Sequence, residues 1–157
     1  MYWLSFNCTG LASPPKKLAL KRLFYFEPID IIFLQETLSL DDQVIPSLQY
    51  LMSGWTFRAL DVIGQSGGIA LDINPHTIKL NASWGGSDFV GMDIFSSELY
   101  MDFIIINVYA PCHNRAAFWN HLLNLTLANS DNLILGGDLN FSIRYGESWG
   151  SNAQLDP

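Results

Sequence analysis

Three apolar stretches of the chain each end in polar residues whose types suit a metal ion. Asn7 follows the first stretch, Gln35 and Glu36 follow the second, and Asp138 and Asn140 follow the third. Carboxylate and amide oxygens are hard donors, which suit Mg²⁺ or Mn²⁺ rather than the thiolate and imidazole ligands that zinc prefers. The residue types therefore predict a Mg²⁺ or Mn²⁺ site, provided that the fold brings the three ends together.

The stretches that precede these residues have the pattern of β-strands in an α/β protein. Residues 29–34 form an apolar run with a single Asp, typical of a strand covered on both faces, and residues 132–135 form another buried strand. Residues 2–7 are aromatic and apolar, so we expect a short buried strand there as well. In α/β sheets, ligands bind at the carboxyl ends of strands, where rigid strands direct loop side chains to one point. The pattern predicts one shared site.

Helices and further strands are expected between these three strands. Apolar residues at helical spacing follow Ser13-Pro14-Pro15 and end at Pro28, and a second helix is expected from Arg115 to Leu127. A loop and a short helix are expected within residues 38–50. The additional strands are expected at 55–60, 68–73, 78–84 and 89–95, as in an antiparallel meander, and the strongest strand at 100–109.

The composition predicts one folded domain and limits its function. The 157 residues are 49% hydrophobic and carry a formal net charge of -7. They therefore differ from disordered chains and from proteins that bind DNA tightly through a basic surface. Four basic residues, Lys16, Lys17, Lys21 and Arg22, lie close together in the sequence, and we interpret them as a solvated face of the first helix.

The cysteines and the start of the chain indicate an intracellular protein. Cys8 and Cys112 are too few for a disulfide scaffold, and we expect both to be reduced and buried. The first residues lack the basic and long apolar regions of a secretory signal, and no stretch approaches the roughly 18 apolar residues of a membrane span. The expected location is the nucleus or the cytoplasm, without secretion and without membrane contact.

Five short motifs follow one another along the chain. They are Ser5-Phe-Asn-Cys-Thr-Gly10, Leu34-Gln-Glu-Thr37, Ser66-Gly-Gly-Ile-Ala70, Asn107-Val-Tyr-Ala-Pro111 and Gly137-Asp-Leu-Asn140. In this order they resemble the motifs of endonuclease/exonuclease/phosphatase domains of the kind carried by LINE-type retrotransposons. Phe118-Trp119 and Glu147-Ser-Trp149 are most similar to plant members of that kind. The resemblance implies a DNase I-like fold, an α/β sandwich of two sheets flanked by helices.

The resemblance also implies a role for each residue of the predicted site. Glu36 corresponds to a metal ligand, and Asn7 beside it helps to position the metal and its water. Asp138 corresponds to the aspartate that orients or deprotonates the attacking water. Asn140 corresponds to the amide that holds this aspartate and the phosphate, and Tyr109 to the phenol near the scissile phosphate. The implied reaction is Mg²⁺-dependent hydrolysis of a phosphodiester by in-line displacement, with DNA at a retrotransposon target site as the substrate.

The last motif of the family is not found in the chain. Active members end with a Ser-Asp-His-type motif, and nothing like it follows Asn140. We therefore expect one partial domain over residues 1–157, with the first sheet and only the start of the second. Activity is expected to be weak or lost, and the uncovered sheet edge is expected to drive self-association. Two alternatives are an inactive retrotransposon-derived remnant and a small-phosphoester phosphatase on the same fold.

Overall fold

The structure, a computed structural model, describes residues 1–11, 13–38, 41–63, 66–125 and 131–140. The resemblance to plant elements at Glu147-Ser-Trp149 therefore lies outside the described residues. In chain order the elements are β1 (Trp3–Asn7), α1 (Pro14–Phe26), β2 (Ile31–Gln35), α2 (Asp41–Leu51), β3 (Thr56–Ile63), β4 (Ser66–Ile73), β5 (Ile78–Gly85), β6 (Phe89–Ser96), β7 (Met101–Tyr109), α3 (Arg115–Asn124) and β8 (Leu133–Asp138).

The strands form two four-stranded sheets, and the predicted α/β sandwich is confirmed. The first sheet has the order β1-β2-β4-β3, and the second has the order β5-β6-β7-β8. The pairs β1·β2 and β7·β8 are parallel, whereas the other pairs are antiparallel. Each sheet has four strands, whereas a complete first sheet and only the start of the second sheet were expected. The reason is that β5 and β6 join β7 instead of continuing the β3–β4 hairpin.

Apolar side chains fill the space between the sheets and cover both outer faces. On β2, Ile31 and Phe33 point towards the second sheet, whereas Ile32 and Leu34 pack on the side covered by α1 and α2. The second sheet is covered on its outer face by α3, through residues such as Leu122. Because β2 is buried on both faces, its residues 31–34 are continuously apolar, and each fully buried apolar side chain contributes about 1.5–3 kcal/mol.

Strand β1 lies at the edge of the first sheet, and the prediction that it would be a buried strand was wrong. Its side chains alternate between exposed and half-buried. Trp3 is 55% exposed, while Leu4 and Phe6 pack against the helix-covered core. The alternation arises because one face of β1 packs on the helix-covered core whereas the other face is exposed. The other edge strands of this part of the chain are β3, β5 and β8, and self-association through such an edge stays a prediction.

The end of β8 depends on a glycine. Gly137 has a φ of +126°, and a Cβ atom at this position would lie 2.0 Å from the carbonyl oxygen of Val108 on β7. Only glycine allows this close approach of the two parallel strands. The approach places Asp138, the last residue of β8, directly opposite Tyr109, the last residue of β7. No helix in the described part of the chain is long and apolar enough to cross a membrane.

Candidate active site

The space between the sheets changes from apolar to polar towards the carboxyl ends of β1, β2 and β7. Beyond the apolar layer, Gln35 donates from Nε2 to Oδ1 of Asn107 at 2.8 Å and to Oγ of Ser5 at 3.4 Å. Asn107 donates from Nδ2 to the backbone carbonyls of Leu34, at 2.9 Å, and Ala70, at 2.8 Å. This polar layer joins the two sheets and forms the floor beneath the residues of the predicted site.

All five predicted site residues lie together beyond this floor. Asn7 ends β1 and Glu36 follows β2, so the first sheet contributes these two. Tyr109 ends β7, Asp138 ends β8 and Asn140 lies two residues further on, so the second sheet contributes the other three. The site is therefore assembled from both sheets.

Two long contacts join residues across the gap between the sheets. The hydroxyl of Tyr109 donates to Oε1 of Glu36 at 3.4 Å. Nδ2 of Asn7 donates to Oδ2 of Asp138 at 3.5 Å. Hydrogen bonds of this length are weak. Strand positions rather than strong mutual bonds thus hold these four side chains beside one another, and their polar atoms keep capacity for a substrate.

The backbone after β1 and after β2 is tightly turned and mutually hydrogen-bonded. Thr9 and Glu36 both have left-handed backbones, with φ of 44° and 51°, a conformation that costs a non-glycine residue about 1–3 kcal/mol. Oδ1 of Asn7 accepts the backbone N–H of Thr9 at 3.1 Å. The N–H of Gly10 donates to the carbonyl of Glu36 at 2.7 Å. The turns fix the directions of Asn7 and Glu36, and strain of this kind is concentrated at functional sites.

Asn140 holds Asp138 through its backbone. The N–H of Asn140 donates to Oδ1 of Asp138 at 3.1 Å, and Asn140 has a left-handed φ of 48°. The side-chain Nδ2 instead donates to the carbonyl of Ala110 at 2.5 Å. The resemblance implies that the amide side chain holds the aspartate, whereas here the side chain ties the end of β8 to the segment after β7.

The surroundings of Tyr109 favour its neutral form. Partial burial raises the pKa of its phenol above the ordinary 10.0, and the nearby carboxylates of Glu36 and Asp138 raise it further. A phenol with a raised pKa keeps its proton through the neutral range. Tyr109 is therefore a hydrogen-bond donor at the site.

The donor set fits a magnesium-type ion. Glu36, Asn7 and Asp138 offer carboxylate and amide oxygens, as hard cations require. No group of three or more His, Cys, Asp or Glu side chains that could hold a metal occurs within the described ranges. Mg²⁺ commonly binds proteins through one or two carboxylates and keeps several waters or phosphate oxygens. These few donors thus suit an ion that is shared with a phosphate substrate, and they do not suit a closed structural metal centre.

The two cysteines near the site differ in exposure. Both are free thiols, as expected, but the prediction that both are buried was wrong for Cys112, which is exposed after β7. Cys8 is 1% exposed, and its thiol donates to the carbonyl of Gln35 at 2.9 Å. Burial, the largest influence, raises the pKa of Cys8 to about 12. Cys8 is thus an inert packing residue beneath the turn after β1.

The three lysines of α1 make specific contacts, and the interpretation of a solvated face was wrong for Lys16 and Lys17, which are half-buried. Lys17 donates to Oγ of Ser47 at 2.8 Å, and Nζ of Lys21 lies 4.1 Å from the centre of the Tyr50 ring. Lys16 donates to the carbonyls of Cys8, at 2.6 Å, and Thr9, at 2.9 Å. Sequence reasoning missed this role of Lys16, because a lysine at helical spacing gives no sign of which carbonyls it meets.

Several solved structures share this fold, and their names indicate different activities. D. rerio TDP2, complexed with a single-strand DNA product, has a TM-score of 0.68 at 16% identity, over 89% of this chain and 60% of that one. AP endonuclease LMAP from Leishmania major has 0.66 at 14% identity, over 96% of this chain and 58% of that one. A mannosyl-6-phosphatase from Bacteroides thetaiotaomicron has 0.66 at 12% identity, over 88% and 65%. The chain thus spans less than two thirds of each of these structures.

The family itself follows from the sequence match. No curated protein sequence matches the chain significantly. The family model described as "Endonuclease/Exonuclease/phosphatase family" matches residues 4–155, which is nearly the whole chain. The chain belongs to the endonuclease/exonuclease/phosphatase family.

Proposed function

We propose that the chain hydrolyses phosphodiester bonds in DNA with a divalent cation, Mg²⁺ or Mn²⁺, as the nicking endonuclease of a LINE-type retrotransposon does. The observation that carries the proposal is that Tyr109 lies beside both Glu36 and Asp138, which come from different sheets, above one polar floor. Two carboxylates, two amides and a neutral phenol match the needs of phosphoryl chemistry: a partner for water, ligands for a cation and a donor to the phosphate.

Asp138 is the residue that orients the attacking water. Its Oδ1 accepts the N–H of Asn140 at 3.1 Å, whereas among the described residues its Oδ2 has only the 3.5 Å contact with Asn7. Oδ2 is thus the oxygen with spare capacity, and it can accept a proton from water that attacks phosphorus. The bond from Asn140 keeps the carboxylate from rotating, so that the second oxygen stays directed into the site.

The remaining residues bind the phosphate and the cation. Glu36 and Asn7 would hold the cation, which would offset negative charge on the leaving oxygen. Tyr109 donates its proton in a hydrogen bond to a phosphate oxygen, and its 3.4 Å contact with Glu36 keeps the phenol beside that carboxylate. The tight turns at Thr9 and Glu36 hold both ligands in place before the substrate arrives.

DNA is favoured over a small phosphate compound by the five motifs, which resemble LINE-type members, and by the DNA product bound to TDP2. The net charge of -7 makes binding to DNA weak and dependent on salt, because few basic side chains offset phosphate charge. A chromosomal target would place the working protein in the nucleus. The mannosyl-6-phosphatase of the same fold supports a phosphatase as the second candidate.

The test is nicking of supercoiled plasmid, run beside phosphate release from small phosphomonoesters, each with Mg²⁺ and with EDTA. Glu36→Gln and Asp138→Asn should each reduce nicking by at least about a hundredfold, since each removes a charged group of the reaction. Glu27→Gln and Asp131→Asn are the matched controls, because both carboxylates are exposed and lie outside the site. The controls should nick at the wild-type rate.

The outcomes separate the candidate functions. Nicking that needs Mg²⁺ and is lost in both site variants supports the DNA endonuclease. Phosphate release without nicking supports the phosphatase. A folded chain that does neither, or whose activity survives both site variants, would contradict the proposal, and the first of these results would favour an inactive remnant.

A further inference from the structure

Lys16 lies on the first turn of α1 and reaches back to the turn that follows β1. Its Nζ donates to the carbonyl of Cys8 at 2.6 Å and to the carbonyl of Thr9 at 2.9 Å. The side chain is half-buried. Hydrogen bonds from an ammonium group are stronger than those between neutral groups, so one side chain clamps two successive carbonyls of a strained turn.

The clamped turn carries one predicted metal-site residue and contacts the other. The N–H of Thr9 holds Oδ1 of Asn7 at 3.1 Å, which leaves Nδ2 of Asn7 directed at Asp138. On the other side of the turn, the N–H of Gly10 holds the carbonyl of Glu36 at 2.7 Å. Both Thr9 and Glu36 have left-handed backbones. The directions of Asn7 and Glu36 thus depend on this turn, and two carbonyls of the turn accept hydrogen bonds from Lys16.

The other lysines of α1 make no such connection. Lys17 contacts Ser47 and Lys21 contacts Tyr50, both on α2. These contacts join α1 to α2, and neither involves a residue of the predicted site. Lys16 is therefore distinguished from its neighbours by what it touches, and Lys17 offers a matched control on the same helix.

We propose that Lys16 is a positioning residue, whose ammonium group fixes the turn of Cys8, Thr9 and Gly10 and thereby holds Asn7 and Glu36 in place beside one divalent-cation site. This inference rests on the proposed function for its consequence in catalysis. The restraint of the turn by Lys16 does not depend on the proposed function. Residues that orient metal ligands from behind typically change metal affinity or activity about 10–100-fold when they are replaced.

The test compares Lys16→Met, Lys16→Arg and Lys17→Met in the full 157-residue chain. Three quantities are measured: the affinity for Mn²⁺ by electron paramagnetic resonance of the free ion, kcat and KM for plasmid nicking, and hydrogen exchange at the Gly10 amide. Lys16→Met should weaken Mn²⁺ binding and lower kcat by about tenfold or more each, with KM nearly unchanged. Lys16→Arg, which retains charged donors, should restore most of both. Lys17→Met should match the wild type.

Exchange at Gly10 decides the structural part even if the wild-type chain neither binds Mn²⁺ nor nicks DNA. That result would reject the proposed function, while faster exchange in Lys16→Met alone would still support the clamp. The inference is overturned if Gly10 exchanges equally in Lys16→Met and wild type, if Lys17→Met gives the same changes, or if an active chain keeps its Mn²⁺ affinity in Lys16→Met. Lys16→Gln, which keeps an uncharged donor, replaces Lys16→Met if the latter does not fold.

Discussion

Gln35 on the first sheet donates its side-chain amide to Oδ1 of Asn107 on the second, at a distance of 2.8 Å in the buried space between the sheets. Asn107 also donates to two backbone carbonyls of the first sheet, those of Leu34 and Ala70. A single side chain of β7 therefore makes three hydrogen bonds across the sandwich. The alignment of the two halves of the site depends on this bridge.

Replacing Asn107 with Leu should destabilise the chain by about 3 kcal/mol or more, because it removes three buried hydrogen bonds and leaves the Gln35 amide without this partner. Chemical denaturation measures the loss. Asn81→Leu is the control, since Asn81 is an exposed residue of the same sheet. Equal losses from the two substitutions would show that the bridge adds no stability.

Replacing Tyr109 with Phe should lower kcat for nicking about 10–100-fold while folding is retained, since only one donor to the phosphate is lost. The raised pKa of Tyr109 means that its phenol keeps its proton to a higher pH than an ordinary tyrosine does. Activity should therefore not decline in the neutral to mildly alkaline range because of this group. Ultraviolet titration of wild type against Tyr109→Phe reports the phenol directly, and Tyr25→Phe, at an exposed position, is the control. A titration midpoint of Tyr109 at or below pH 10.0 would contradict the expectation.

Asp72 on β4 should lower stability as the pH rises. It is fully buried, and both of its carboxylate oxygens lack a hydrogen-bond partner in the described structure. Its neighbours in the sheet, Ile32 and Phe57, belong to the helix-covered apolar core. Burial holds the pKa of Asp72 well above the ordinary 3.8, because a charged carboxylate is poorly solvated there.

The sign follows from proton linkage. The folded chain keeps the proton of Asp72 where the unfolded chain has released it, so stability is greatest below pH 3.8 as far as this group is concerned. It falls by up to about 1.4 kcal/mol per pH unit as the pH rises towards the folded pKa. Asp72→Val should therefore be more stable than wild type at neutral pH, with a weaker pH dependence in denaturant titrations. Destabilisation by Asp72→Val at every pH would show that the carboxyl group has a stabilising partner.

Thiol labelling should distinguish the two cysteines. In the native chain one thiol, that of exposed Cys112, should react quickly, whereas buried Cys8 should react only after denaturation. The pKa of Cys8 at about 12 further suppresses its reaction, because the thiolate is the reactive form. Cys112→Ser should leave no fast-reacting thiol. Rapid labelling of Cys8 in that variant would mean that the turn beneath Asn7 opens readily.

The sequence predicted the parts of the fold that depend on local pattern. The apolar run of β2 and the polar residues after it indicated a doubly covered strand that ends at the site, because such burial demands continuous apolar side chains. Sequence pattern cannot assign strands to sheets, so the membership of β5 and β6 in the second sheet was not foreseen. It also did not reveal the bridge from Gln35 to Asn107, since a polar residue within a strand has the same signature whether it faces solvent or a partner.

Residue propensities do not predict that Asn7, Glu36 and Asp138 lie together, because this grouping depends on contacts between residues far apart in the sequence. The spatial grouping could be expected only from the rule that strand ends share one edge. Details such as the backbone bond from Asn140 to Asp138 depend on a left-handed torsion at Asn140. Asn adopts this conformation more often than most residues, but its presence in the sequence does not predict it.

Glu36 and Asp138 come from opposite sheets and lie 102 positions apart in the sequence. The two carboxylates of the site are therefore synthesised at different times. Ribosomal synthesis delivers the first carboxylate early and the second only when β8 has emerged, and the two become neighbours only after the sheets have docked. A nascent chain that has not reached residue 138 lacks Asp138 and therefore lacks the pair of carboxylates. The hydrolysis proposed for this site would therefore require that both sheets have formed and docked.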